Sequence, residues 1–213
     1  MDINNYFNTT IWSEQKPEFI KSLTKASNKY IKAAKNVPEA KAHIKKFGDF
    51  GRSYHSTQLL VDNNFRDFRD YIGNKSWEYL DHQGFDMQQY TIMFSEMWVQ
   101  EFAKKGGGHH SAHVHHNQHV SGFYFLKANE KTSMPIFHEP RTGARSTKLK
   151  MKTNIKEILN GNELIHFRPQ PGTLIIFPGY LEHEFSVDFG IAPFRFIHWN
   201  IQALPKEMVK DVV

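Results

Sequence analysis

The chain has 213 residues, 39% of them hydrophobic, and a formal net charge of +5 from 27 Lys and Arg against 22 Asp and Glu. That length and apolar content suit one globular domain, residues 1–213, and the 18 Phe, eight Tyr and four Trp give it the large side chains of a core. There is no cysteine, which excludes disulfides, thiolate catalysis and every Cys-containing zinc motif, so any metal must be held by nitrogen and oxygen.

The start, Met1-Asp-Ile-Asn-Asn-Tyr6, lacks a basic region followed by an apolar stretch. No run approaches the roughly 18 apolar residues of a membrane span. The expectation is a soluble cytoplasmic protein with no membrane partner. Basic clusters lie at Lys41–Lys46 and Arg141–Lys156. They suit a small anionic ligand or a solvated loop equally well, and with no recognition motif beside them nucleic acid is not the expected partner. A homodimer is compatible with all of this.

Phe19, Leu23, Ala26 and Tyr30 share one helical face after Pro17, which predicts an amphipathic helix ending before Pro38. Phe65, Phe68 and Ile72 predict a second helix that stops at Gly73, with Trp77, Tyr79 and Leu80 as a further turn. From Gln89 the period changes. Tyr90–Val99, Ser121–Leu126, Leu164–Arg168, Thr173–Phe177, Glu184–Val187 and Phe194–Ile201 are short, rich in β-formers and separated by Gly and Pro signals. Helices first and strands afterwards predict an α+β, mainly β fold: a sandwich or barrel of the jelly-roll kind over 89–205, with a mainly helical subregion over 1–88 packed against it as a buttress. Gly106–Gly108 and Thr142–Asn162 are the longest loops, and Lys104–Ala112 with Gly143–Lys152 are expected to rim a binding pocket.

His109-His-Ser-Ala-His-Val-His-His-Asn-Gln-His119 holds six of the chain's 13 histidines just before an apolar run, and imidazole is the commonest protein ligand for borderline transition metals. His113 and His115, two residues apart, would face the same side of a strand, with His116 turned away and His109, His110 and His119 as bystanders. A third ligand must come from elsewhere in the chain. Pro171-Gly-Thr-Leu-Ile-Ile-Phe-Pro-Gly-Tyr-Leu-Glu-His183 reads as turn, buried strand and second turn, delivering His183 at the start of another strand.

His113-Val-His115, Ser121-Gly-Phe-Tyr124, Glu139-Pro-Arg141, Pro169 through His183, Arg195 and Asn200, with Gly51-Arg-Ser-Tyr-His-Ser-Thr-Gln-Leu-Leu60 upstream, together resemble a family of 2-oxoglutarate and Fe(II)-dependent oxygenases. The resemblance implies a double-stranded β-helix with Fe(II) between its sheets, held by His113, His115 and His183. It also implies oxidative decarboxylation of 2-oxoglutarate to succinate and carbon dioxide, coupled to hydroxylation of a small-molecule or side-chain substrate that the sequence does not identify. Arg195, with Tyr124 and Asn200, is implied to bind the co-substrate, the guanidinium meeting its far carboxylate. The wider superfamily has a carboxylate at the middle ligand, so His115 or a carboxylate such as Glu139 completes the set. Two other readings stay open. One is a cupin-type three-histidine dioxygenase or isomerase without 2-oxoglutarate; the other is a non-catalytic binding protein stabilised by its metal.

Overall fold

The computed structural model describes residues 1–209 apart from 3, 5, 147, 148, 151 and 153–156, so part of the basic stretch 141–156 lies outside the described residues. Among the described residues ten strands form two sheets: β1 (Trp12–Gln15), β2 (Ser53–His55), β3 (Tyr90–Phe102), β4 (His110–His113), β5 (Val120–Lys127), β6 (Pro135–His138), β7 (Leu164–His166), β8 (Thr173–Pro178), β9 (His183–Phe185) and β10 (Arg195–Pro205). The six-stranded sheet runs β1-β8-β5-β10-β3-β2 and the four-stranded sheet β4-β9-β6-β7, with antiparallel pairing throughout both.

Alternation along the strands sorts the side chains into two cores. Phe123 and Phe125 of β5, Ile175 and Phe177 of β8, Phe196 of β10 and Phe102 of β3 meet Phe137 and Phe185 of the smaller sheet between the two layers. Their neighbours Tyr124, Leu126, Leu174, Ile176, Ile197 and Trp199 point the other way and are covered by helices. Those helices are α1 (Ile20–Asn36), whose Leu23, Ser27 and Ile31 form one buried stripe, and α3 (Arg66–His82), which buries Phe68, Ile72, Tyr79 and Leu80. Because β5 and β8 are apolar on both faces, their sequences read as continuous runs rather than as alternation.

The N-terminal half departs from its sequence reading in three places. Pro38 begins a second helix, α2 (Pro38–Phe47), since proline is well placed at a first helical position. α3 continues through Gly73, which is buried against β3; a Cβ there would make ordinary contact with Ile92 and Phe94 at 3.5 Å, so this glycine does not end the helix. β1 and β2 also fall in 1–88 and close the two edges of the larger sheet, so this half is structural to the sheet as well as a buttress. Among the described residues no helix is long and apolar enough to cross a membrane.

Arg195 and Tyr124, expected to bind the co-substrate, face the helical layer rather than the inter-sheet core. Arg195 faces the helices, where its Nε donates to Glu101 Oε2 at 2.7 Å and its Nη1 to Ser27 Oγ at 3.1 Å and Asn28 Oδ1 at 2.8 Å on α1. Lys35 of α1 completes the cluster at 2.5 Å from Glu101 Oε1. Tyr124 is buried against Phe19 and Phe68, and its hydroxyl donates to the Lys16 carbonyl at 2.7 Å. Both side chains therefore lie on the far side of the sheet from the inter-sheet core and tie the helical layer to it. Neither is turned toward a co-substrate between the sheets.

Burial alone would raise the Glu101 carboxyl, but Lys35 and Arg195 together hold it below its ordinary range. Its contribution to stability is then complete above the ordinary carboxylate range and is lost as pH falls through the lower folded value. Arg195→Ala leaves that carboxylate buried with one of its two close cations gone. The expected loss is about 3–5 kcal/mol in urea unfolding at neutral pH, shrinking under acid conditions as Glu101 protonates. An Arg195→Ala protein as stable as the parent would refute this role.

Candidate metal centre

Four imidazoles and one carboxylate converge at one end of the inter-sheet core. His113 closes β4 and pairs in register with His183, the first residue of β9. His115 lies beyond the end of β4, not within it, so the expected same-face geometry of a strand does not place it. Instead the loop is laced to the turn before β9: His115 N–H donates to Gly179 O at 2.9 Å and Gly179 N–H to His119 O at 3.2 Å. A Cβ at Gly179 would sit 2.3 Å from Gln118 O, so only glycine permits this approach. The hairpin that delivers His183 thus also positions His115.

One ligand atom each from His113, His115 and His183 lie within 4.8 Å of one another. Ring centroids stand 4.4 Å apart for His113 and His183 and 5.1 Å for His115 and His183. His113 Nδ1 is 2.7 Å from Ser111 O and His183 Nδ1 is 2.8 Å from Leu181 O. A carbonyl can only accept, so both rings carry their proton on Nδ1 and leave the Nε2 lone pair free, which is how metal-binding histidines are oriented by an outer layer of acceptors. The Nε2 atoms of His115 and His183 are buried without a partner. The acceptor at His183 Nε2, orphaned beside a second unpartnered imidazole nitrogen, fits a metal ion.

The wall around them is dry. Phe177 and Phe123 lie 4.8 and 5.5 Å from the His183 ring. Burial first, and the neighbouring imidazoles second, push His183 down to about 3 and His115 to about 4. Both are neutral near pH 7 and available as ligands.

Of the remaining expected residues, Asn200 is at the site but not as a free co-substrate ligand. Its Oδ1 accepts from Ser121 Oγ at 2.5 Å, and its Nδ2 donates to Glu96 Oε1 at 2.5 Å and lies 2.9 Å from His115 Nδ1. Glu139 is elsewhere, its carboxylate held by Arg141 at 2.7 Å. Of the other histidines in the run, His119 Nδ1 accepts from Ala203 N–H at 3.0 Å, whereas the His110 ring sits 4.4 Å from that of His113. In the loop expected to rim the pocket, Ala144, Lys150 and Lys152 line a separate concavity with Glu139 and Leu159, apart from the histidines.

The sequence reading missed Glu96 and His198. His198 is fully enclosed, with its ring 4.7 Å from His115 and 4.6 Å from Trp98. The signal was present as alternation: His198 lies between Phe196 and Asn200 on the inward face of β10, and Glu96 precedes Trp98 and Phe102 on that of β3. A cavity of about 250 Å³ lined by Ser95, Glu96, His115, His116, Gln118 and Asn200 opens onto the cluster.

No curated protein matches the chain in sequence. Among solved structures it is similar to the epimerase SnoN in complex with Fe3+, alpha ketoglutarate and nogalamycin RO (TM-score 0.56, 9% identity, 92% of this chain and 81% of that one). A Pseudomonas putida prolyl-4-hydroxylase gives a TM-score of 0.55 at 9% identity, over 91% of this chain and 93% of its own. A Trichoplax adhaerens prolyl hydroxylase, in complex with a hypoxia inducible factor peptide, gives 0.54 at 12% identity over 95% and 86%. These likenesses carry the fold, the double-stranded β-helix. Residues 96–189 match the family model described as "Putative 2OG-Fe(II) oxygenase". That segment runs from Glu96 through His113, His115 and His183 to the loop after β9, and so spans all three histidines of the cluster.

Proposed function

We propose that the chain is a 2OG-Fe(II) oxygenase whose Fe(II) is held by His113, His115 and His183, and that it hydroxylates a small molecule or a protein side chain while 2-oxoglutarate is converted to succinate and carbon dioxide. The observation that carries the reading is the convergence of three imidazole ligand atoms within 4.8 Å, two of them buried and otherwise unpartnered. Iron bound there supplies oxygen activation, and the keto acid is its electron source.

The chain's own residues do the rest. Ser111 and Leu181 carbonyls fix two ring tautomers, so the lone pairs are presented without rearrangement. Phe123, Phe137 and Phe177 keep water from the inner side of His183, which confines the open side to the cavity beside Glu96 and Asn200. That opening is polar and small, which favours a substrate offering a single group, such as one side chain of a peptide or a compact polar molecule. The co-substrate fits less completely than the metal. Its chelating end needs the metal alone, but its far carboxylate needs a donor of its own, and Arg195 and Tyr124 are committed to the helical layer. No step is assigned to those two.

Anaerobic addition of Fe(II) and then 2-oxoglutarate is the direct test. A visible charge-transfer band is expected from the parent protein, weakened or shifted in His183→Gln and His113→Ala, and retained by whatever fraction of Arg195→Ala is folded. No band from the iron-loaded parent at saturating 2-oxoglutarate would sink the reading.

A second expectation concerns the metal-free protein. His115 and His183 have folded values depressed below the ordinary 6.5, so between that value and about 3–4 the unfolded chain binds protons the folded one refuses. Stability must therefore fall as pH drops through this window. The urea midpoint should decline from pH 6.5 to 4, and decline less steeply in His183→Gln; equal slopes in the two proteins would contradict it.

A further inference from the structure

His198 and Glu96 take no part in the three-histidine position, yet their arrangement calls for a cation. His198 Nδ1 is 3.0 Å from Gly122 O, so its proton sits on Nδ1 and its lone pair on Nε2, which is buried with no donor. Facing that lone pair at 3.8 Å is Glu96 Oε1. Two acceptors opposed at that distance, the ring buried and the carboxylate partly exposed, repel unless a proton or a metal ion lies between them.

The ligand atoms of Glu96, His115 and His198 lie within 4.8 Å of one another. We propose that these three residues form a second metal-binding position, overlapping the first at His115, so that one divalent ion per chain has an inner seat of three imidazoles and an outer seat of two imidazoles and a carboxylate. The proposal rests on the reading of the histidine cluster as a metal centre and extends it. The outer set, two histidines and one carboxylate, is the donor combination associated with non-haem Fe(II) oxygenases; the inner set is not.

Asn200 connects the two seats. In the present arrangement its amide donates to Glu96 and to His115 Nδ1, which leaves the His115 proton on Nε2. A metal on His115 Nε2 moves that proton to Nδ1, and Asn200 must then turn its Oδ1 toward the ring. Ser121 Oγ can accept from the turned amide, because a hydroxyl serves either way. Glu96, however, loses its donor and is left facing carbonyl oxygen and imidazole lone pair together. A cation beside it resolves the conflict, and Glu96 borders the 250 Å³ cavity through which one would arrive.

Anaerobic Co(II) binding to the full chain, followed by equilibrium dialysis and the visible d–d spectrum, tests this without reference to turnover. The parent should bind one Co(II). His113→Ala/His183→Gln should still bind one, roughly 10- to 100-fold more weakly and with an altered spectrum, and adding Glu96→Gln or His198→Gln to that variant should abolish binding. A doubly substituted protein that is folded by circular dichroism and binds no Co(II) overturns the outer seat. So does binding that survives the added Glu96→Gln. Should the double variant bind with the parent's affinity and spectrum, it is the inner three-histidine reading that fails, and the outer seat stands. If the double variant does not fold, His113→Ala alone, at a partly exposed position, decides by the same comparison with and without Glu96→Gln.

Discussion

Everything at the site depends on β10 being paired on both sides, by β5 and by β3, so that its alternation is fixed. A slip by one residue would exchange its two faces completely. In the observed register Phe196, His198 and Asn200 face the smaller sheet, while Arg195, Ile197, Trp199 and Ile201 face the helices. The inward row runs from a hydrophobic wall to the buried His198 ring to the amide that touches His115. The outward row fastens α1 through Arg195. One strand therefore supports the chemistry on one face and the helical layer on the other.

Much of this was legible in the sequence, for physical reasons that also explain where legibility ended. The turn at Gly179 and the strand before it identified His183 because proline and glycine punctuate a chain locally. His113 was legible by its place at a strand. His115 was named for the wrong reason: a two-residue spacing implied a continuous strand, whereas it is the backbone lacing to Gly179 that delivers the ring. Arg195 shows the deeper limit. Its distance along the chain from His183 matched an anchoring cation, but which face of β10 it occupies is decided by pairing with β5 and β3, and by Glu101 and α1, all remote in sequence. Glu96 and His198 were unremarkable as residues and acquire meaning only when two strands bring them together.

The electrostatics of the cluster follow from neutrality. His115, His183 and His198 are disfavoured from taking up a second proton, because burial and mutual proximity both oppose the charge. They are left as lone pairs, and a lone pair buried without a donor is a standing cost. Carbonyls at Ser111, Leu181 and Gly122 then determine that in three of the rings the lone pair is on Nε2. The centre is organised for a cation before one arrives, which is what distinguishes it from a set of histidines satisfied by one another.

His115 is the exception, and the exception has a use. Its Nδ1 faces an amide rather than a carbonyl, and an amide can present either a donor or an acceptor. A carbonyl would commit the ring to one tautomer; Asn200 leaves it two, each linked to a different state of Glu96. The substitution Asn200→Asp separates this from simple hydrogen bonding. A carboxylate can only accept, so it would lock the His115 proton on Nδ1 and repel Glu96. Metal affinity at the three-histidine seat should then rise while the Glu96 side chain is expelled toward the cavity, an outcome readable from Co(II) titration of the Asn200→Asp protein. Unchanged affinity there would mean that the His115 tautomer is set by the metal alone and that the amide is a spectator.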